Sequence, residues 1–228
     1  MHVLKTDCQS NPNVGLFGWA NDKVCLVGYG FKNKVIKKIE DALSVPVYEI
    51  TICGTDLVGV FCAGNNECLL VPSTVTEHEI KELDRICKEV DMKYEIVKSD
   101  LTALGNNILC TEIGALVNPE FSASIKKQIR QALRVNLNPG TIALFGIPGS
   151  LCVINKTDAI ICVGVLDKEK DKLKELFGIE EFTEATVNFG SQSLGSGIIS
   201  NSKGFIIGEM SSGVEITNID EGLGFLGK

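Results

Sequence analysis

The sequence predicts a single mixed α/β domain built as a five-fold propeller, with strands inside and helices outside. Three observations predict it. A glycine recurs as Gly15, Gly59, Gly105, Gly149 and Gly195, at intervals of 44, 46, 44 and 46 residues. Six residues after each stands Asn21, Asn65, Thr111, Asn155 or Asn201, followed by an apolar run such as Leu69-Leu70-Val71 or Phe205-Ile206-Ile207. An amphipathic helical pattern then follows in every unit. A period of this length marks a repeat architecture, and five helices exclude propeller blades made of strands alone.

Each unit is expected to open with a strand through its glycine, as over residues 57–63. It turns at polar residues such as Asn65-Asn66 and returns along the apolar run. Asn and Gly tolerate the left-handed backbone that such turns use. The helix comes next. In the first unit Val35, Ile36, Ile39, Ala42 and Leu43 share one face. In the second, Ile80, Leu83, Ile86, Cys87 and Val90 do so, after a Thr76/Glu79 capping box. The third uses Ile125, Ile129, Ala132 and Leu133, and the fourth starts at Asp167 and buries Leu173, Leu176 and Phe177. The fifth carries a Ser212/Glu215 capping box before Ile216, Ile219 and Leu223. These spacings are those of one buried helix face and of a helix start.

A third strand closes each of the first four units, over 47–53, 94–98, 135–137 continuing toward 143, and 183–189. No such strand follows the fifth helix, but residues 2–7 form a strand-like segment at the other end. The economical solution is a closed ring in which that segment completes the fifth unit. The units then cover about 10–54, 55–99, 100–143, 144–189 and 190–228 of one domain. Closure removes exposed sheet edges and the need for polar end caps.

With 228 residues, 44% of them apolar, the chain is long enough for a sizeable core. Its net charge of −7 lacks the footprint of a non-specific nucleic-acid binder and suits a basic protein partner. Any RNA contact should be local and beside a protein contact. The nine cysteines follow no short metal spacing, and Cys25, Cys110, Cys152 and Cys162 sit in apolar runs. They read as buried, reduced thiols of a cytosolic protein, with no metal and no cofactor. Residues 1–8 contain no signal-peptide pattern, and the longest uncharged stretch, 135–155, is too rich in Asn, Pro and Gly to span a membrane.

Several stretches, in order, give the chain a family resemblance. They are Leu69-Leu70-Val71-Pro72, Thr102-Ala103-Leu104-Gly105-Asn106, Gly114-Ala115-Leu116-Val117-Asn118-Pro119 and Ile199-Ser200-Asn201-Ser202-Lys203-Gly204. Thr186-Val187-Asn188 with Gly190, and Gly213 with Glu215 before a helix, belong to the same set. From about Gly15 to Leu223 the chain resembles the archaeal initiation factor 6 family, whose members are ribosome anti-association factors with the pentein fold. The resemblance implies a monomer that binds the large (50S) ribosomal subunit and prevents association with the small (30S) subunit. Its partner would be a ribosomal protein near the sarcin–ricin loop, with possible local rRNA contact and neither membrane nor DNA involved. It implies no catalysis, a cytoplasmic location, and the compact archaeal form without the longer tail of eukaryotic members.

The repeat register puts the residues that follow each glycine on one rim: Leu16, Val60, Asn106, Ser150 with Leu151, and Ser196. In the family, positions matching Val60, Asn106 and Leu151 lie on or near the ribosome-facing side. Eukaryotic members often carry basic or aromatic residues where this chain has Val60 and Leu151. Asn107 joins the list because the Asn106-Asn107 pair replaces the apolar or small residues of the other units. Asn65 is a weaker candidate, since a turn explains it as well.

The alternative function is that of a guanidine-modifying pentein hydrolase or transferase, which uses a central cysteine, histidine and carboxylates. Only His2 and His78 are available, and no cysteine follows Cys162. Other signals carry less. The G-x-x-x-x-G-K pattern over 222–228 lacks the following Ser or Thr and helix of a nucleotide-binding loop. Asn155-Lys156-Thr157 is a hairpin turn in the form of a glycosylation sequon, and the lysines at 126–127 and 168–174 solvate helix faces.

Overall fold

A computed structural model describes residues 2–226. Met1, Gly227 and Lys228 lie outside the described residues, and with them the last two positions of the G-x-x-x-x-G-K pattern. The chain opens with β1 (Val3–Thr6) and a 3-10 turn at Val14–Leu16. The first unit continues through β2 (Gly18–Ala20), β3 (Cys25–Val27), α1 (Asn33–Leu43) and β4 (Val47–Glu49). The second has α2 (Val58–Phe61), β5 (Ala63–Gly64), β6 (Cys68–Pro72), α3 (Glu77–Glu89) and β7 (Lys93–Val97). The third has α4 (Leu104–Asn107), β8 (Ile108–Cys110), β9 (Gly114–Val117), α5 (Ala123–Leu133) and β10 (Asn136–Pro139). The fourth has α6 (Pro148–Leu151), β11 (Cys152–Asn155), β12 (Asp158–Ile161), α7 (Asp167–Phe177) and β13 (Thr183–Glu184). The fifth has α8 (Leu194–Gly197), β14 (Ile198–Asn201), β15 (Gly204–Gly208) and α9 (Gly213–Gly222).

These strands make five three-stranded sheets. In each, an antiparallel hairpin is joined by a parallel strand that follows the helix, as in β5-β6-β7. The fifth sheet is completed by β1, which pairs in parallel with β15 from Val3 opposite Phe205 to Thr6 opposite Gly208. The N-terminal strand therefore closes the ring, as the repeat register requires.

Helices pack between their own sheet and that of the preceding unit. Ile129 and Leu133 of α5 meet Leu70 and Val97 of the second unit, and Phe177 of α7 meets Leu109 and Leu116 of the third. The core is thus five wedges around an axis. Both expected capping boxes form: Thr76 accepts from Glu79 N, and Ser212 accepts from Glu215 N.

Two local expectations are corrected. The segment over 57–63 is a one-turn helix, α2, before the short strand β5, and α4, α6 and α8 repeat this arrangement. The third strands stop early, β4 at Glu49 and β13 at Glu184. The apolar residues beyond them, Ile52, Ile142 and Val187, each anchor a tight turn through a bridge to Thr55, Phe145 and Ser191.

Candidate functional site

Strand polarity gives the ring two ends. At one end the hairpins turn at Asn21, Asn65, Thr111, Asn155 and Asn201. At the other lie the one-turn helices with their glycines, the tight turns after the third strands, and the loops entering the outer helices.

The glycines form a closed backbone ring. A Cβ on Gly105 would overlap the carbonyl oxygen of Gly59, one on Gly59 that of Gly15, and one on Gly15 that of Gly195. Gly195 meets Gly149 and Gly149 meets Gly105 in the same way. Only glycine allows one backbone to approach another this closely. Behind this ring lies an axial cavity of about 170 Å³, also lined by Cys62, Cys110 and Cys152. Burial pushes the Cys110 thiol up to about 12 and raises those of Cys62 and Cys152 as well. A cysteine nucleophile must be a thiolate, so these groups are held in the inert form. The histidines stand elsewhere. His2 Nε2 lies 2.9 Å from Asp220 Oδ1 with its ring stacked on Phe225, and His78 is exposed on α3. Among the described residues no three His, Cys, Asp or Glu side chains converge as a metal site.

At the opposite end the turn asparagines join one unit to the next. Asn65 Oδ1 accepts from the backbone N–H groups of Glu67 and Cys68, and its Nδ2 donates to the carbonyls of Thr111 (3.3 Å) and Leu133 (3.0 Å). Asn201 does the same across the closing seam, donating to Asn21 O at 3.1 Å and Leu43 O at 2.8 Å. Leu133 and Leu43 end α5 and α1, so the amides also satisfy carbonyls that a helix end leaves unpaired.

Of the sequence candidates, the structure brings Leu16, Val60, Asn106, Asn107, Ser150, Leu151 and Ser196 together at the glycine end. Asn65 stands at the other end, 3% exposed and committed to its turn. Asn107 and Leu151 are each 6% exposed. Asn107 donates to Ala103 O at 2.8 Å and accepts from Asn118 Nδ2 at 2.7 Å, which explains its buried amide. Leu16, Val60, Asn106 and Ser196 are half-buried. Asn106 Oδ1 accepts from Ser150 Oγ at 3.1 Å, while among the described residues nothing accepts from its Nδ2. Two donors of that amide therefore remain for a partner.

Sequence reasoning missed the tight turns of this end. Their tips use left-handed backbone: Gln9 and Ser10, Cys53 and Gly54, Ala143 and Leu144, Asn188 to Gly190. Three are held by buried glutamates at the starts of outer helices. Glu79 accepts from Cys53 N and Gly54 N, Glu169 from Ala143 N and Leu144 N, and Glu215 from Phe189 N and Gly190 N. Burial opposes the Glu215 charge, but the N–H groups of Ser212 and Gly190 and the hydroxyls of Thr186 and Ser212 outweigh it. They hold the carboxyl down at about 2. Glu79 and Glu169 are lowered in the same manner, against burial, by hydrogen bonds to their turns and capping residues.

Two tips carry bulky apolar residues. Leu144, at φ +69°, is 72% exposed, and Phe189, at φ +61°, is 74% exposed. Left-handed backbone costs a bulky L residue about 1–2 kcal/mol. Neither side chain belongs to the buried core. The signal was present in the register: five residues before the glycine stand Ser10, Gly54, Asp100, Leu144 and Gly190, and only the fourth unit has a large apolar residue there.

The chain matches a model of the eIF-6 family over residues 3–222. It is 32% identical to translation initiation factor 6 of Thermococcus onnurineus, over 99% of this chain and 100% of that protein. It is 34% identical to the factor of the same name from Pyrococcus abyssi with the same coverage, and 33% identical to that of Methanocaldococcus jannaschii over 94% and 95%. Among solved structures it is similar to DDAH from Pseudomonas aeruginosa complexed with citrulline, with a TM-score of 0.53, 10% identity and coverage of 77% and 71%. It is also similar to the N-terminal domain of ArgZ, a cyanobacterial arginine dihydrolase, with a TM-score of 0.51, 12% identity and coverage of 81% and 73%. At such identities these two show the five-fold pentein fold alone.

Proposed function

Since the chain belongs to the eIF-6 family, we propose that it binds the large ribosomal subunit through its glycine end and so keeps the small subunit from joining. Its role lies in translation initiation, and it is a factor rather than an enzyme. The observation that carries the reading is the match over nearly the whole chain to proteins named translation initiation factor 6. The ring itself supplies the physical means. Its five wedges and the clasps between them make a rigid body, and a rigid body seated on the intersubunit face excludes another by occupying its place. The monomer acts in the cytoplasm. With a net charge of −7, it engages a ribosomal protein near the sarcin–ricin loop and touches rRNA only locally.

Asn106 is the polar contact of this face, because its amide NH₂ meets no acceptor among the described residues. In the test, parent and Asn106→Ala proteins are titrated onto purified large subunits. The parent binds, and Asn106→Ala binds about 5- to 10-fold more weakly, the worth of one or two hydrogen bonds. Undiminished affinity of the variant removes Asn106 from the contact. A parent that does not bind removes the reading.

A further inference from the structure

The glycine end is not uniform around the ring. Residues 140–151, 162–166 and 185–197 contain no charged side chain. The corresponding stretches of the first three units carry Asp7, Asp56, and Lys98 with Asp100. Most of the large exposed apolar residues also gather in this sector or beside it. Leu144, Phe145 and Leu166 surround the turn held by Glu169, and Phe189, Met210 and Val214 surround the turn held by Glu215. Both clusters belong to neighbouring units of the ring, where α6 packs on α8.

Resting on the ribosomal reading above, we propose that this apolar sector of the fourth and fifth units is the protein-docking surface, and that it takes an apolar segment of a ribosomal protein. Three observations select that occupant. The sector has no Lys or Arg to meet a phosphate, so RNA is the wrong chemistry for it. Exposed apolar area free of charge is the composition of an interface core. Finally, Leu144 and Phe189 hold strained left-handed backbone with exposed side chains, and strain that the fold does not use points to function. At the margin Asp7 and Glu209 crowd together, and the hydrogen bond from Asp7 raises the Glu209 carboxyl above its ordinary range. Lys5 and Lys32 lie close enough to oppose that shift, so this margin is mixed in charge and the uncharged sector inside it is the distinctive surface.

The test is the double variant Leu144→Gly with Phe189→Gly. Glycine accepts φ +69° and +61° without strain, so the melting temperature is expected to hold or rise. Binding to purified large subunits is expected to fall at least about 30-fold, as for loss of central apolar anchors. Parent affinity should drop less than about tenfold between 50 and 200 mM salt, whereas a phosphate-dominated contact loses about a thousandfold or more. A photoreactive benzoylphenylalanine placed at Phe189 should crosslink to a ribosomal protein. Double-variant binding equal to the parent's, an adduct to rRNA alone, or an adduct between two copies of the chain overturns the sector assignment while the ribosomal reading stands. Failure of the parent to bind large subunits overturns both.

Discussion

Gly105→Ala is expected to leave no cooperatively folded protein. The added methyl would overlap the carbonyl oxygen of Gly59 and stand 2.7 Å from that of Cys62. Both obstacles are backbone, so no rotamer change relieves them. Gly105 in turn presents its own carbonyl to Gly149, and the displacement passes around a ring that has no free edge. The cost exceeds about 4–5 kcal/mol, a large share of the 5–15 kcal/mol that stabilises a typical domain. Thermal unfolding followed by circular dichroism should show no transition, or one lowered by tens of degrees. Gly54→Ala is the control. Gly54 is left-handed at φ +69° but has open space around it, so its loss should cost only about 1 kcal/mol. Equal melting of the two variants would mean that the glycines are not in contact.

Acid is expected to weaken the protein strongly, and Glu215 is expected to carry much of the effect. Its carboxyl titrates at about 2 when folded and near 4.5 otherwise. The stabilisation is therefore fully present above about pH 4.5 and lost as the pH falls toward 2. A difference of this size corresponds to about 3 kcal/mol. Glu79 and Glu169, also lowered, add to it in the same direction. Urea midpoints measured from pH 7 to pH 2 should fall steeply for the parent. Glu215→Gln should start lower at pH 7 and change less, because an amide offers one acceptor oxygen where the carboxylate uses two to accept from Ser212, Thr186 and the 189–190 turn. Parallel curves for parent and variant would contradict this role of the Glu215 carboxylate.

Much of this architecture was legible in the sequence because five copies of each position could be read against one another. The spacing of Gly15 to Gly195 fixed the number of units, and the missing fifth third-strand led directly to residues 2–7 as the closing strand. What the glycines do was less legible. A close backbone approach needs glycine in a strand or in a one-turn helix alike, and four residues such as Val58–Phe61 are too few to show a helical period. Asn65 is a turn residue, as its alternative explanation had it, but its reach to Leu133 crosses units, which sequence spacing along one hairpin does not reveal. Of the candidates at the glycine end, Leu16, Val60, Asn106 and Ser196 are half-buried, while Asn107, Ser150 and Leu151 face inward enough to be largely buried. Leu144 and Phe189 escaped notice because an apolar residue after an apolar strand reads as more strand. Only the left-handed backbone turns them out to solvent.

One measurement addresses the central claim most directly: sucrose-gradient sedimentation of purified large and small ribosomal subunits under associating conditions, with and without the protein. Occupation of the intersubunit face predicts that the protein travels with the large subunit and that the joined-ribosome peak is replaced by separate subunits as protein approaches one equivalent. Joined ribosomes that persist with saturating protein bound to the large subunit would contradict it.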